Sequence, residues 1–166
     1  MTSRDQTIIV WHRTDLRIKD NPALNRAAAV ARAGGATIQP VFVFDPRFYG
    51  ADSHACDGRI AFLHECLASL RERYRRHGSE LAFLHGNPAD RLAALLNDPN
   101  PECLRLFHTR HPTARYGAQR DDELEVRVTN ETQPADRQRD RTSIEAVPEG
   151  AIVLDAQERG VNSREG

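Results

Sequence analysis

Short apolar runs alternate along this chain with longer segments in which apolar residues recur every three or four positions. The first run is Ile8–Trp11, and the later ones are Thr37–Phe44, Leu81–Leu84, Cys103–Phe107 and Thr142–Val147. Runs of this length, rich in β-branched and aromatic residues, predict strands that are covered on both faces. Strands that alternate with helices predict an α/β fold whose parallel sheet has right-handed crossovers.

Turn and cap residues set the expected helix boundaries. Asn21-Pro22 and Asn87-Pro88 each have the form of an N-cap followed by the first-turn proline of a helix. Gly34-Gly35 and Gly78 are candidate helix stops. The helices predicted from these signals cover residues 21–33, 56–77, 88–96 and 116–128, and the charged stretch 129–141 is expected to be a solvated loop.

Each of the first two predicted helices carries one apolar stripe. In the first helix the stripe consists of Leu24, Ala27, Ala28 and Ala31, and in the second of Ile60, Leu63, Leu67, Leu70 and Tyr74. The second helix ends in four arginines, namely Arg71, Arg73, Arg75 and Arg76. They suit a phosphate-binding patch, but complementing the helix dipole explains them more simply.

Composition narrows the class of protein. The 166 residues suit one domain, and 23 basic residues against 24 acidic ones give no overall attraction to nucleic acid or anionic membrane. The sequence has no recognisable signal peptide and no apolar run long enough to span a bilayer. Cys56, Cys66 and Cys103 lack metal-ligand spacing, so we expect reduced core thiols in a cytoplasmic protein with no metal site.

Polar residues concentrate in two predicted loops, His12–Asp20 and His108–Asp121. These loops follow the first and fourth strands, which are neighbours in a sheet of order 3-2-1-4-5, at the point where the strand order reverses. Ligands of such folds bind in the crevice beyond those strand ends. No catalytic motif for a hydrolase, nucleotide triphosphatase, dehydrogenase or metalloprotease is present, so no catalytic residue is predicted.

The residues from Trp11 to Leu24, W-H-R-T-D-L-R-I-K-D-N-P-A-L, resemble the opening signature of the DNA photolyase and cryptochrome family. The V-F-V-F-D-P run at 41–46 is similar to the family's second strand, and P-E-G at 148–150 to the turn after its last strand. The resemblance covers roughly residues 7 to 150. It implies a Rossmann-like, doubly wound parallel sheet of five strands, ordered 3-2-1-4-5.

The resemblance also implies a division of labour. Residues 1–150 correspond to the family's N-terminal antenna-type domain, and residues 151–166 to a tail that starts the linker to a helical domain outside this chain. In the family, that helical domain binds FAD and contacts DNA, and it catalyses the lyase reaction of DNA repair in blue light. The implied role here is to hold a light-harvesting pigment, with no repair activity alone and no membrane contact.

The pocket expected from this resemblance would hold a folate, a deazaflavin or a flavin. Its predicted residues are Arg13, Asp15, Arg17, Phe42, Asp45, His108, Tyr116 and Gly117. Alternatively, Arg13, Asp15 and Arg17 form an ion-pair network that fixes the loop. The alternative for His108 and His111 is that they are surface residues or cap a loop. Asp121 suits the dipole at a helix start.

Because the sequence departs from the family pattern at two places, it does not specify which pigment the pocket would bind. Thr14 replaces an arginine found in deazaflavin-using relatives, and the stretch Ala114–Asp121 lacks the family's acidic residue and proline. Two other functions are alternatives to the antenna role. One is a small nucleotide-binding module of the universal-stress type, and the other is a truncated scaffold that binds no small molecule. The first would need a late glycine-rich phosphate loop, which the sequence lacks.

Overall fold

A computed structural model describes residues 6–50, 56–97, 102–109, 119–124 and 143–147. The strands are β1 (Gln6–His12), β2 (Thr37–Phe44), β3 (Ala82–His85), β4 (Glu102–Thr109) and β5 (Ser143–Val147). The helices are α1 (Pro22–Gly34), α2 (Pro46–Tyr49), α3 (Asp57–Arg76) and α4 (Pro88–Leu96), and residues 119–124 are also helical. The predicted loop 129–141 lies outside the described residues.

All strand pairs in the sheet are parallel. Four strands follow the order β3-β2-β1-β4, and the backbone of β5 pairs with the outer edge of β4. The α/β class and the predicted order of the first four strands are confirmed. The order reverses between β1 and β4, where Trp11 is registered with His108.

The sheet is covered on both faces, and β1 divides its side chains between them. Ile8 and Val10 pack on one side with α1 and α3, whereas Ile9 and Trp11 pack on the other with α4. Leu124 belongs to the second of these clusters, so the 119–124 helix covers the same face as α4. Burial of β1 on both faces explains why its sequence reads as a continuous apolar run.

Three helices begin with the same device. Asn21, Asp45 and Asn87 each accept a backbone N–H bond at a helix start, and a proline follows each of them. The caps of α1 and α4 confirm the prediction. Helix α2 was not predicted, because Asp45-Pro46 was interpreted only as the end of a strand.

Helix ends differ slightly from expectation. Helix α1 ends at Gly34, and Gly35 adopts a left-handed backbone with φ of 68° while its N–H donates to Ala31 O. Helix α3 ends one residue earlier than predicted: His77 is its C-cap, and Gly78 follows with φ of 74°. Gly78 thus supplies the left-handed turn after the cap rather than the cap itself.

The predicted stripes face the core. In α1, Leu24, Ala27 and Ala31 are buried and Ala28 is half-buried. In α3, the buried residues are Leu67, Leu70 and Tyr74, with Ile60 and Leu63 half-buried nearer its start. The described helices include none that is both long and apolar enough to cross a membrane.

The expectation of core cysteines is wrong for Cys56. That thiol is exposed beside the start of α3, and Cys66 is half-buried. Cys56 occupies the N-cap position, which lies outside the apolar stripe of the helix, so nothing covers it among the described residues. The side chain of Cys103 lies outside the described part of the chain.

Candidate functional site

The loops after β1 and β4 meet at the edge where the strand order reverses. His12 is the last residue of β1, and His108 in β4 is registered with the preceding residue, Trp11. The polar side chains that follow β1 therefore lie beside those at the end of β4. This is the crevice in which the sequence places the candidate ligand site.

Arg13 connects the two strand ends. Its Nη1 donates to Asp121 Oδ1 at 2.6 Å, and its Nη2 lies 3.0 Å from His108 Nδ1 and also donates to the carbonyl of Thr109. Both side chains of the Arg13–Asp121 ion pair are under one-tenth exposed. A guanidinium this fully engaged holds its neighbours in place, because its planar fork fixes the direction of each bond.

Asp15 holds the same loop through different partners. Its Oδ1 accepts from the Arg13 backbone N–H at 3.1 Å, and its Oδ2 accepts from Thr109 Oγ1 at 2.7 Å and from Asn21 Nδ2 at 3.1 Å. The predicted ion pairing of Asp15 with two arginines is therefore wrong. Hydroxyl, amide and backbone donors surround this carboxylate, since the Arg13 side chain is directed to Asp121 and Arg17 is exposed.

His12 links the loop to α3. Its Nδ1 is 3.0 Å from the carbonyl of Asp15, which can only accept, so this nitrogen carries the ring proton. Its Nε2 then accepts from the Tyr74 hydroxyl at 2.6 Å. Burial lowers the pKa of His12, with Asp15 opposing the shift, and burial raises the pKa of Tyr74. The pair is thus a neutral imidazole and a neutral phenol.

His108 is buried at the centre of the crevice, with 1% of its surface exposed. Burial first, and then the neighbouring Arg13 charge, lower its pKa to about 4. Neutral Nδ1 accepts from the Arg13 guanidinium, so the surface role considered for His108 is wrong. The guanidinium carbons of Arg13 and Arg120 lie 4.6 and 5.0 Å from the centre of the Trp11 ring.

The remaining predicted site residues lie apart from this cluster. Arg17 is exposed and donates to the carbonyl of Asp20, and Phe42 is buried in the core against Phe44. Asp45 is buried and caps α2 through the Arg47 N–H. The predicted positions Tyr116, Gly117 and His111 lie outside the described residues.

A cleft of about 580 Å³ opens on the other side of Arg13, between the loop after β1 and the helices α2 and α3. It is lined by Arg13, Thr14, Leu16, Arg47, Phe48, Tyr49, Arg59, Ile60, Phe62, Leu63 and Cys66. Its volume is typical of a site for a cofactor-sized molecule. Of the six predicted site residues that the structure describes, Arg13 alone is among those that line it.

The rim of this cleft combines aromatic rings with positive charge. Phe48, Tyr49 and Phe62 are exposed at 44%, 37% and 68%, which is high for such large apolar side chains. Arg47 and Arg59 line the cleft as well, and no acidic residue does among the described ones. A planar ligand with a negative group suits this combination of stacking surfaces and guanidiniums.

Sequence reasoning missed Arg47, Phe48, Tyr49, Arg59 and Phe62. One signal was available for the first three: Asp45-Pro46 repeats the cap-plus-proline pattern of Asn21-Pro22, which indicates a helix rather than only a strand end. Phe62 gave a second signal, because it falls outside the apolar stripe of α3.

Comparison with known proteins places these features in a family. The family described as DNA photolyase matches residues 8–154. A deoxyribodipyrimidine photo-lyase of Halobacterium salinarum is 44% identical over 95 residues, covering 54% of this chain and 19% of that protein. Another, from Synechococcus sp., is 34% identical over 117 residues, covering 70% of this chain and 22% of that protein. The chain spans about a fifth of the length of these relatives.

Solved structures agree on the fold. A cryptochrome of Synechocystis sp. superposes with a TM-score of 0.69 at 21% identity, over 87% of this chain and 28% of that one. A photolyase of Sulfolobus tokodaii, solved with two FAD molecules, gives a TM-score of 0.68 at 20% identity, over 84% of this chain and 29% of that one. With the family match over most of its length, the chain belongs to the DNA photolyase family and corresponds to the N-terminal α/β domain of photolyases and cryptochromes.

Proposed function

We propose that residues 1–150 are an antenna-type domain of a blue-light photolyase or cryptochrome, which holds a light-harvesting pigment and has no repair activity alone. Residues 151–166 would begin the link to a helical domain that binds FAD, and DNA would be contacted only through that domain. Family membership supports the domain assignment. The Sulfolobus tokodaii photolyase, whose two FAD molecules imply a novel light-harvesting cofactor, supports a second chromophore in a relative of this fold.

The observation that carries the proposal is the cleft beside Arg13. It lies beyond the carboxyl ends of β1 and β2, where ligands of doubly wound sheets bind, and it is lined by exposed rings and three arginines. The neighbouring crevice between β1 and β4 is less suitable. There, Arg13 bonds to Asp121 and His108, Asp15 bonds to Thr109, and the charges of Arg13 and Asp121 are buried, so a pigment would have to break those bonds.

Arg13, Asp15 and His108 then act as positioning residues. Asp15 fixes the backbone of Arg13, Asp121 and His108 fix its guanidinium, and Arg13 is one of the residues that line the cleft. We assign the stacking contacts to Phe48, Tyr49 and Phe62 and the anionic group of the pigment to Arg47 and Arg59. Phe42 and Asp45 support the cleft from behind, as the core residue under Tyr49 and the cap of α2.

The mechanism needs no bond chemistry in this domain. When bound, a folate, deazaflavin or flavin would supply light absorption and dipole coupling to a second chromophore. Because that coupling falls steeply with distance and depends on orientation, the protein's task is to hold the pigment rigidly. The hydrogen bonds that immobilise the loop after β1, made by His12, Arg13 and Asn21, serve this task because they fix the backbone on which the cleft is built.

Pigment titration of the purified chain tests this function. Three pigments would be used, namely methenyltetrahydrofolate, 8-hydroxy-5-deazaflavin and FMN, with fluorescence as the readout. Arg59→Ala should weaken binding roughly tenfold, about 1.4 kcal/mol, because a charge-assisted hydrogen bond is lost. Arg73→Ala is the matched control, since Arg73 is exposed on the same helix and lies away from the cleft.

If Arg59→Ala and Arg73→Ala weaken pigment binding equally, the pigment does not bind in this cleft. Absence of binding by all three pigments would favour the scaffold alternative, for which the self-satisfied crevice between β1 and β4 is the supporting observation. A separate assay addresses repair: ultraviolet-damaged DNA illuminated with blue light in the presence of this chain should remain unrepaired. Measurable repair would contradict the proposed division between the two domains.

A further inference from the structure

A second groove, of about 740 Å³, lies on the far side of Tyr49. It runs between α3 and the ends of β2 and β3, and its lining residues are Phe44, Tyr49, Ile60, His64, Leu67, Ala68, Arg71, Glu72, Arg75, Phe83 and His85. Among the described residues, the groove shares only Tyr49 and Ile60 with the cleft beside Arg13. None of its described lining residues belongs to the predicted pocket.

The wall of the groove is an aromatic cluster centred on Phe44. His85 stacks on the Phe44 ring, with centroids 4.8 Å apart and an interplanar angle of 16°. The Tyr49 and His64 rings approach Phe44 edge-on, at 5.6 and 6.0 Å. Phe44 stands at the end of β2 and is only half-buried, so this cluster presents ring surface to solvent at a strand end where folds of this class bind ligands.

The rim of the groove is positively charged. Glu80 accepts hydrogen bonds from Nε of both Arg71 and Arg75. Because one carboxylate faces two guanidiniums, these three side chains carry a net charge of +1. Glu72, the acidic residue of the lining, pairs with Arg76 at 3.4 Å. Arg71 is further held over the Phe83 ring, with its guanidinium carbon 5.7 Å from the ring centre. The surplus charge therefore lies beside the aromatic wall.

We propose that this groove is a second ligand site, for a planar aromatic molecule that carries one anionic group. The ring lies against the Phe44 cluster, over the apolar floor made by Leu67 and Ala68, and the anion is bound by Arg71 and Arg75. The volume suits a molecule of this size. The site is independent of the pigment proposal, because the two recesses are lined by different arginines and share only Tyr49 and Ile60 among the described residues.

A pair of fluorescent probes tests the chemistry of the groove. 1-Anilinonaphthalene-8-sulfonate has the required ring and anion, and N-phenyl-1-naphthylamine has the same ring system without the sulfonate. Arg75→Gln should weaken binding of the sulfonate about three- to fivefold and leave the neutral probe unchanged, as expected for an exposed ion pair. Arg73→Gln, which removes an exposed charge outside the groove, should change neither.

Two further variants locate the probe. Ala68→Trp fills the groove and should remove the sulfonate binding that Arg75→Gln weakens, whereas Ala61→Trp, at an exposed position of α3 outside the described lining of both recesses, should not. No sulfonate binding, or equal binding after Ala68→Trp, would overturn the proposal.

Discussion

Arg13 and Asp121, which are 108 positions apart in the chain, form a buried ion pair with Nη1 and Oδ1 2.6 Å apart. The pair ties the loop after β1 to the helix at residues 119–124, across the point where the strand order reverses. The crevice that this fold offers to ligands is thereby filled with the protein's own charges. Open volume lies instead in the neighbouring cleft, on the other side of Arg13, where we propose that the pigment binds.

Removing one partner of this pair should be costly. Arg13→Met leaves the Asp121 carboxylate buried without its cation, and we expect the free energy of unfolding to fall by about 3–5 kcal/mol. Urea denaturation followed by circular dichroism measures this change. The double variant Arg13→Met/Asp121→Leu should lose less than Arg13→Met, because no charge then remains buried. If the losses in the free energy of unfolding from the two single substitutions add up in the double variant, Arg13 and Asp121 do not interact as described.

Acid should destabilise the chain through His108. Its pKa is about 4 in the folded state against 6.5 for an unperturbed histidine, so between these values the unfolded chain binds a proton that the folded chain does not. Stability is therefore full above pH 6.5 and falls as the pH drops towards 4. His108 contributes up to roughly 3 kcal/mol to that loss.

The variant His108→Asn isolates this contribution. Asparagine retains a carbonyl oxygen that accepts from Arg13 but does not titrate in this range. Unfolding free energies measured from pH 7 to pH 4 should therefore decline less steeply in the variant than in the parent chain. Parallel declines would show that His108 is not the buried neutral histidine described above.

Two helix caps should differ in importance. Asn87→Ala removes only the bond from Ala89 N–H and should cost about 1 kcal/mol. Asn21→Ala removes the bond from Leu24 N–H and also the Nδ2 bonds to Asp15 Oδ2 and Arg17 O, so we expect roughly 2–3 kcal/mol. Thermal unfolding of both variants measures the difference. Equal costs would mean that Asn21 does not organise the loop after β1.

The hydroxyl of Tyr74 should matter although it is remote from the cleft. Tyr74→Phe leaves buried Nε2 of His12 without its donor, at a cost of about 1–3 kcal/mol in the free energy of unfolding. Tyr49→Phe, in a half-exposed side chain, should change it by less than about 0.5 kcal/mol. Chemical denaturation of the two variants provides the comparison. An unchanged free energy of unfolding in Tyr74→Phe would contradict the hydrogen bond to His12.

The fold was predictable because its signals are local. The run Ile8–Trp11 and the caps Asn21-Pro22 and Asn87-Pro88 are each complete within a few residues, and their spacing indicates alternating strands and helices. Parallel order then follows from general rules of chain connection, which apply whatever the side chains are. The structure extends the first and fourth predicted strands by one or two residues at each end without changing their arrangement.

The site was less predictable because its contacts are non-local. Nothing near Arg13 in sequence indicates that its partner is Asp121, or that Asp15 would accept from Thr109 instead of an arginine. Charged residues crowded in one loop suggested a ligand crevice, whereas the structure bonds Arg13 to Asp121 and Asp15 to Thr109, on the other side of that crevice. The cleft was missed for a related reason: α2 has only four residues and no periodic pattern.

Size-exclusion chromatography of the chain mixed with excess pigment tests the central claim most directly. We expect a near-ultraviolet or visible absorption band of one of the three pigments to co-elute with the protein in an equimolar ratio, and Arg59→Ala to reduce that band. Elution of the protein without any pigment band, for the folate, the deazaflavin and FMN alike, would contradict the assignment of this chain as an antenna domain.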